Sequence, residues 1–156
     1  MKPEQPVAAD AAGLTAVLSP PLERDIEAIA RWYTKAVVLA GSLAPLSELL
    51  DSTGRRRTLV LTDGTNQEPA GLILVALDDP QPGWATVDLL ATARQEERDV
   101  AALGVFLLEA HLQGEAIHVR AAVPADVGLA PYFWLTLGYR PVVFGQGLWM
   151  MRDLDA

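Results

Sequence analysis

Cysteine is absent from the 156 residues of this chain. That excludes disulfides, thiolate metal sites and a cysteine nucleophile, and it makes the cytoplasm the expected location. Histidine occurs only at His111 and His118, a pair without metal-site spacing, so no metal is expected. No apolar run approaches the ~18–20 residues that cross a bilayer, so no membrane partner is expected. Positive charge is in the minority, with 12 Lys and Arg against 20 Asp and Glu and a formal charge of −8. Such a surface repels nucleic acid and tolerates or attracts a cationic amine. Arg55-Arg56-Arg57 is the one basic cluster. It reads either as a solvated approach to the next strand or as a phosphate contact. Aromatics make up only 6% of the chain and sit in apolar contexts, which argues against a base-stacking platform.

What is present is a core. Half of the chain is hydrophobic (51%) and about a fifth is charged (21%), the balance of one packed domain. Residues 1–13 carry no apolar segment, make no signal peptide and are expected as a flexible tail. A single domain is expected over 14–156.

The hydrophobic period changes along the chain. Thr15 to Leu18 is a first strand, closed by Ser19-Pro20-Pro21. Ile26, Ile29, Ala30, Tyr33 and Val37 recur at helical spacing, which predicts a helix from Leu22 to a stop at Gly41. Pro45 opens a short second helix through Leu50. Three strands follow, over 58–62, 70–77 and 84–92, joined by polar turns as an antiparallel meander. A helix apolar nearly all round spans Arg98 to Leu112. Ile117 to Val123 is the next strand, and a parallel crossover between it and the meander is allowed. A helix from Val127 to Leu137 and two strands, 139–144 and 148–153, complete the chain, with Gly145-Gln146-Gly147 as the last turn.

The stretch Tyr132-Phe133-Trp134-Leu135-Thr136-Leu137-Gly138-Tyr139-Arg140-Pro141 reads as a buried helix that stops at a glycine and feeds a strand. This junction resembles the C-terminal signature of the GCN5-related N-acetyltransferases. Leu107-Leu108-Glu109-Ala110 and Met151-Arg152-Asp153-Leu154 are similar to two further stretches of that family, and the element order agrees over residues 14 to 154. The resemblance implies an α/β (α+β) fold, with a mixed, mostly antiparallel central sheet of about seven strands flanked by about four helices. It also implies acetyl-CoA as co-substrate and a small-molecule or peptide amine as acceptor. The donor would lie along Leu90 and Thr92, with its pyrophosphate at the start of the central helix near Arg94, Arg98, Ala102 and Gly104.

The same residues also mark departures from the family pattern. Registered on Leu107-Leu108, Asp99 falls at the family's basic position and Ala102 at its first glycine, leaving Gly104 as the second. Glu96, Glu97 and Asp99 bring carboxylates to the place of a pyrophosphate, where they can cap the helix themselves. Trp134 stands where the family has its tyrosine acid, and an indole N–H does not give up its proton near neutral pH. Trp134 is expected in the core or lining the donor channel. Tyr132 is the substitute acid, although it points about 200° around the helix from position 134. Asp88, mid-strand, is the candidate base, and reads equally as a hydrogen-bonded, solvent-facing aspartate. His118, in the following strand, is a further candidate for a catalytic role.

Two functions follow. One is an acyl-CoA-dependent N-acetyltransferase working by direct transfer, with Asp88 as base and Tyr132 or solvent as acid. The other is a catalytically silent member of the same fold, a ligand-binding or interaction module that could pair as a homodimer.

Overall fold

The computed structural model describes residues 7–11, 14–49, 55–64, 68–124 and 128–154. Its strands are β1 (Val7–Ala11), β2 (Leu14–Ser19), β3 (Val37–Gly41), β4 (Arg56–Asp63), β5 (Glu68–Leu77), β6 (Trp84–Thr92), β7 (His118–Val123), β8 (Arg140–Val142) and β9 (Leu148–Asp153). Its helices are α1 (Glu23–Trp32), α2 (Leu46–Leu49), α3 (Arg98–Leu112) and α4 (Ala130–Thr136). Among the described residues no helix is long and apolar enough to cross a membrane.

The strands form one sheet in the order β1-β2-β4-β5-β6-β7-β9-β8, with β3 attached to β6 beside this path. Among the described strands only β6 and β7 run parallel, over Trp84↔His118 to Val87↔Ala121. The chain between them is α3, the crossover that a parallel pair requires.

Alternation along the strands divides the core between two faces. Leu59, Leu61, Ile73, Val75, Val87 and Val119 pack toward α3 and α4. Val60, Leu72, Leu74, Leu89 and Ala91 pack toward Ile29 of α1 and Tyr33. β5 is therefore buried on both faces, as its unbroken apolar run predicts. The junction at α4 also forms as read. Gly138 takes φ 89°, and the Tyr139 amide returns to the Trp134 carbonyl at 3.1 Å.

The structure departs from the sequence reading at two places, which bring the described strands to nine. Val7–Ala11, assigned to the tail, pairs antiparallel with β2 from Val7↔Leu18 to Ala11↔Leu14. Its place in the sheet rests on that pairing, which composition does not report. Residues 1–6, 12 and 13 lie outside the described residues.

The second departure affects the site. The helix expected to reach Gly41 stops at Trp32, a 3₁₀ turn covers Tyr33–Lys35, and β3 follows. The Tyr33 hydroxyl donates to the Ala44 carbonyl at 2.6 Å and accepts from the Ala44 amide at 3.2 Å, which ties the chain back across β3. Val37 and Val38 are β-branched and suit a strand, although Val37 also fits the i+4 spacing of a helix. The expected start of α4 at Val127 and the end of α2 at Leu50 fall outside the described residues, and α4 is helical from Ala130.

Candidate functional site

β6 changes neighbour halfway along. Its first half lies beside β7 as far as Val87. Its second half lies beside β3, through Leu89↔Gly41, Leu90↔Ala40, Ala91↔Val38 and Thr92↔Val37. Asp88 sits at the changeover. The register against β5 shifts there, from Val75↔Val87 to Leu74↔Leu89, so Asp88 is the extra residue of a bulge. A bulge re-aims a side chain, and this one turns a carboxylate to the face opposite α3 and α4.

On that face Asp88 lies 3.6 Å from the Arg56 Nε. Burial pushes its carboxyl above the usual aspartate range. The Arg56 charge opposes that rise without cancelling it, Asp79 adds to it, and Arg120 opposes it. Arg120 is fixed nearby. Its Nε donates to the Thr86 hydroxyl at 2.8 Å, and its guanidinium stands 4.8 Å from the Phe144 ring centre and 4.2 Å from that of Trp149. Trp84 stacks on His118 at 4.5 Å, and His118 Nδ1 meets Asp153 at 2.6 Å. That hydrogen bond first, and Arg140 second among the favourable partners, hold the Asp153 carboxyl below its ordinary value. His118 is thus engaged with Asp153 on the outer side of this face.

The second half of β6 is sealed. Leu90 and Thr92, expected to meet a donor, are fully buried. The Thr92 hydroxyl donates to the Arg94 carbonyl at 3.1 Å. Within β3 the register shifts between Val38 and Ala40, leaving Leu39 as the odd residue. Its carbonyl accepts the Trp134 indole N–H at 2.7 Å. Trp134 is 0% exposed and packs edge-on against Phe133 and Tyr139. Its N–H therefore satisfies a buried carbonyl of β3. Gly41, with φ 74°, ends β3 so close to β6 that a Cβ there would fall 1.8 Å from the Asp88 carbonyl oxygen.

The start of α3 is a separate place. Arg98, Asp99, Ala102, Tyr132, Phe133, Thr136 and Glu96 line a cleft of about 330 Å³ between α3 and α4. Tyr132 is 63% exposed on this side of the sheet, whereas Asp88 is on the other, so the fold does not bring the two candidate catalytic residues together. Arg94 is turned onto Glu97 at 2.9 Å. Gly104 lies two turns inside α3, where a Cβ would come 2.9 Å from Leu61 Cδ2, so close helix–sheet packing accounts for a glycine there.

An acyl-CoA carries a pyrophosphate and an extended arm with two amides. The described conformation does not fit it. β3 holds the strand edge that an extended amide chain would use, and Glu96 and Asp99 face the cleft at the helix start. The Arg triplet is likewise engaged within the protein. Arg55 pairs with Asp78, Arg56 with Asp88 and Arg57 with Glu115 at 2.7 Å. The sequence reading missed Arg56 and Arg120 as partners of Asp88, and β3 altogether. The one local signal was the β-branched pair Val37-Val38.

No protein-family model and no curated protein matches the sequence. Solved structures do match the fold. An acetyltransferase from Thermus thermophilus superposes with a TM-score of 0.69 at 22% identity, over 89% of this chain and 97% of that one. An N-acetyltransferase from Staphylococcus aureus gives 0.69 at 8% identity, over 89% and 97%. The ribosomal-protein-S18-alanine N-acetyltransferase from Escherichia coli gives 0.66 at 16% identity, over 90% and 95%. The order of strands and helices, the parallel β6–β7 pair bridged by α3 and these superpositions agree: the chain has the fold of the GCN5-related N-acetyltransferases.

Proposed function

We propose that the protein is an N-acetyltransferase for a cationic amine, with acetyl-CoA as donor, and that the described state is closed to the donor. The observation that carries this reading is Asp88. A bulge delivers its carboxylate to an open face at the point where two parallel strands part, and burial raises its pKa. In open parallel sheets ligand sites lie where neighbouring strands part beyond their carboxyl ends, and β6 and β7 are a parallel pair of this kind. A carboxylate with a raised pKa takes a proton from an ammonium group more readily than an ordinary aspartate does. The net charge of −8 favours a cationic acceptor. A peptide amine is the favoured class, in keeping with the likeness to the Escherichia coli enzyme named for a ribosomal protein.

A second reading, the catalytically silent module, is favoured by one specific observation. The residue at the family's acid position, Trp134, is sealed in the core on a β3 carbonyl.

Calorimetric titration with acetyl-CoA, followed by turnover over a panel of primary amines and peptide N-termini, separates the two. The proposal expects turnover that falls by roughly 10²–10⁴-fold in Asp88→Asn. Binding without turnover on any amine supports the silent module. Absence of heat and of thermal stabilisation at millimolar acetyl-CoA removes the enzyme reading for the protein as it stands.

A further inference from the structure

We infer that β3 is an internal plug: a segment of the protein's own chain that occupies the edge of β6 meant for the acyl donor, and that must leave before the donor binds. The inference rests on the acyl-donor reading above and adds how that site is regulated.

β6 and β7 are hydrogen-bonded only as far as Val87↔Ala121. Beyond that point the outer edge of Leu89–Thr92 needs a partner, because an edge buried without one leaves unsatisfied amides and carbonyls. An extended ligand bearing amides can complete such an edge by adding as a strand. Val37–Gly41 completes it instead. The two occupants need the same backbone groups and exclude each other.

Three features mark β3 as an inserted segment rather than a built-in strand. It pairs with β6 alone and lies off the sheet path. Its register slips at Leu39 within a span of only five residues. It is bounded by a 3₁₀ turn on one side and by exposed Ser42 and Leu43 on the other. Besides its pairing with β6 and the burial of Leu39 and Ala40, two contacts hold it in place. The Trp134 indole N–H clips the Leu39 carbonyl at 2.7 Å, and Gly41 alone permits the close approach to the Asp88 carbonyl. The departure at Trp134 acquires a role from this arrangement: it latches the plug. Closure reduces the apparent donor affinity by the fraction of molecules that are open.

The test compares the native protein, Gly41→Val and Trp134→Phe by acetyl-CoA titration, with amide hydrogen exchange read over residues 37–41. In Gly41→Val a side chain meets backbone at the end of β3. The inference expects fast exchange over 37–41 and acetyl-CoA affinity raised at least about tenfold, with a smaller rise, about threefold, in Trp134→Phe. If Gly41→Val does not fold, the native protein carries the test, and its 37–41 amides must lose protection as acetyl-CoA is added. Native protein that binds acetyl-CoA while those amides stay protected overturns the plug and leaves the enzyme reading standing. Variants whose 37–41 amides exchange freely but which bind no acetyl-CoA at millimolar concentration remove the acyl-donor reading, and the inference falls with it.

Discussion

The two halves of β6 belong to one strand and have opposite surroundings. Trp84 to Val87 borders β7, and its Thr86 and the neighbouring Asp88 belong to a polar face with Arg56, Arg120 and Asp79. Leu89 to Thr92 borders β3 and is buried on both faces, Leu90 toward α3 and α4, Leu89 and Ala91 toward α1. The first half has the chemistry of a site without a closed pocket. The second has the enclosure of a site, already filled. On this fold the capacity for chemistry depends on what a strand borders as much as on which residues it carries.

Breaking the sealed half should give the largest effect. Trp134→Ala removes a fully buried side chain and the donor to Leu39, and should cost about 3–5 kcal/mol in urea denaturation. Trp134→Phe keeps most of the packing but strands the Leu39 carbonyl, at about 1–3 kcal/mol. Equal losses in the two variants would show that the bond to Leu39, and not packing, carries the contribution of Trp134.

Gly104→Val comes next. The new side chain would press on Leu61 across the α3–β4 contact, an overpacking cost of about 1–3 kcal/mol. Because Gly104 faces the sheet, acetyl-CoA affinity should change far less than stability does. An affinity loss without a stability loss would return Gly104 to the donor site.

The order of elements was legible in the sequence because alternation, turns and the Leu137-Gly138-Tyr139 stop are local signals. α3 forms over the expected residues, Arg98–Leu112, since its apolar pattern and flanking glycine depend on nothing distant. β3 was not legible. Val37 satisfies a helical and a strand period alike, and the deciding partner, Thr92, is far along the chain. Asp88 was recognisable as a candidate, but its exposure depends on a bulge set by the pairing of β5 and β6. Its partners Arg56 and Arg120 come from β4 and β7, which only the sheet order makes neighbours. Tyr132 could not be placed from helix phase alone, because that says nothing of which helix face meets the sheet.

The polar half should respond in its titration more than in its stability. The Asp88 carboxyl, followed by carbon-13 NMR, should titrate above an ordinary aspartate. The folded state therefore keeps this proton to a higher pH than the unfolded state. By linkage the Asp88 contribution to stability falls as pH rises through the window between the two values. Arg56→Gln removes the opposing charge and should move the Asp88 titration further up. A downward move would mean that Arg56 does not set the local field.

The smallest effect belongs to the surface beside the sealed half. Arg94→Gln breaks an exposed ion pair with Glu97 and should leave the unfolding midpoint unchanged within error. A clear drop would give Arg94 a structural role that its exposure does not suggest.

One signal reports the sealed half directly, the indole N–H of Trp134, followed by hydrogen exchange in the native protein without and with acetyl-CoA. The account predicts that this proton is strongly protected in the free protein, through its bond to Leu39, and loses protection as acetyl-CoA is added. Rapid exchange in the free protein, or protection unchanged once acetyl-CoA is bound, would contradict it.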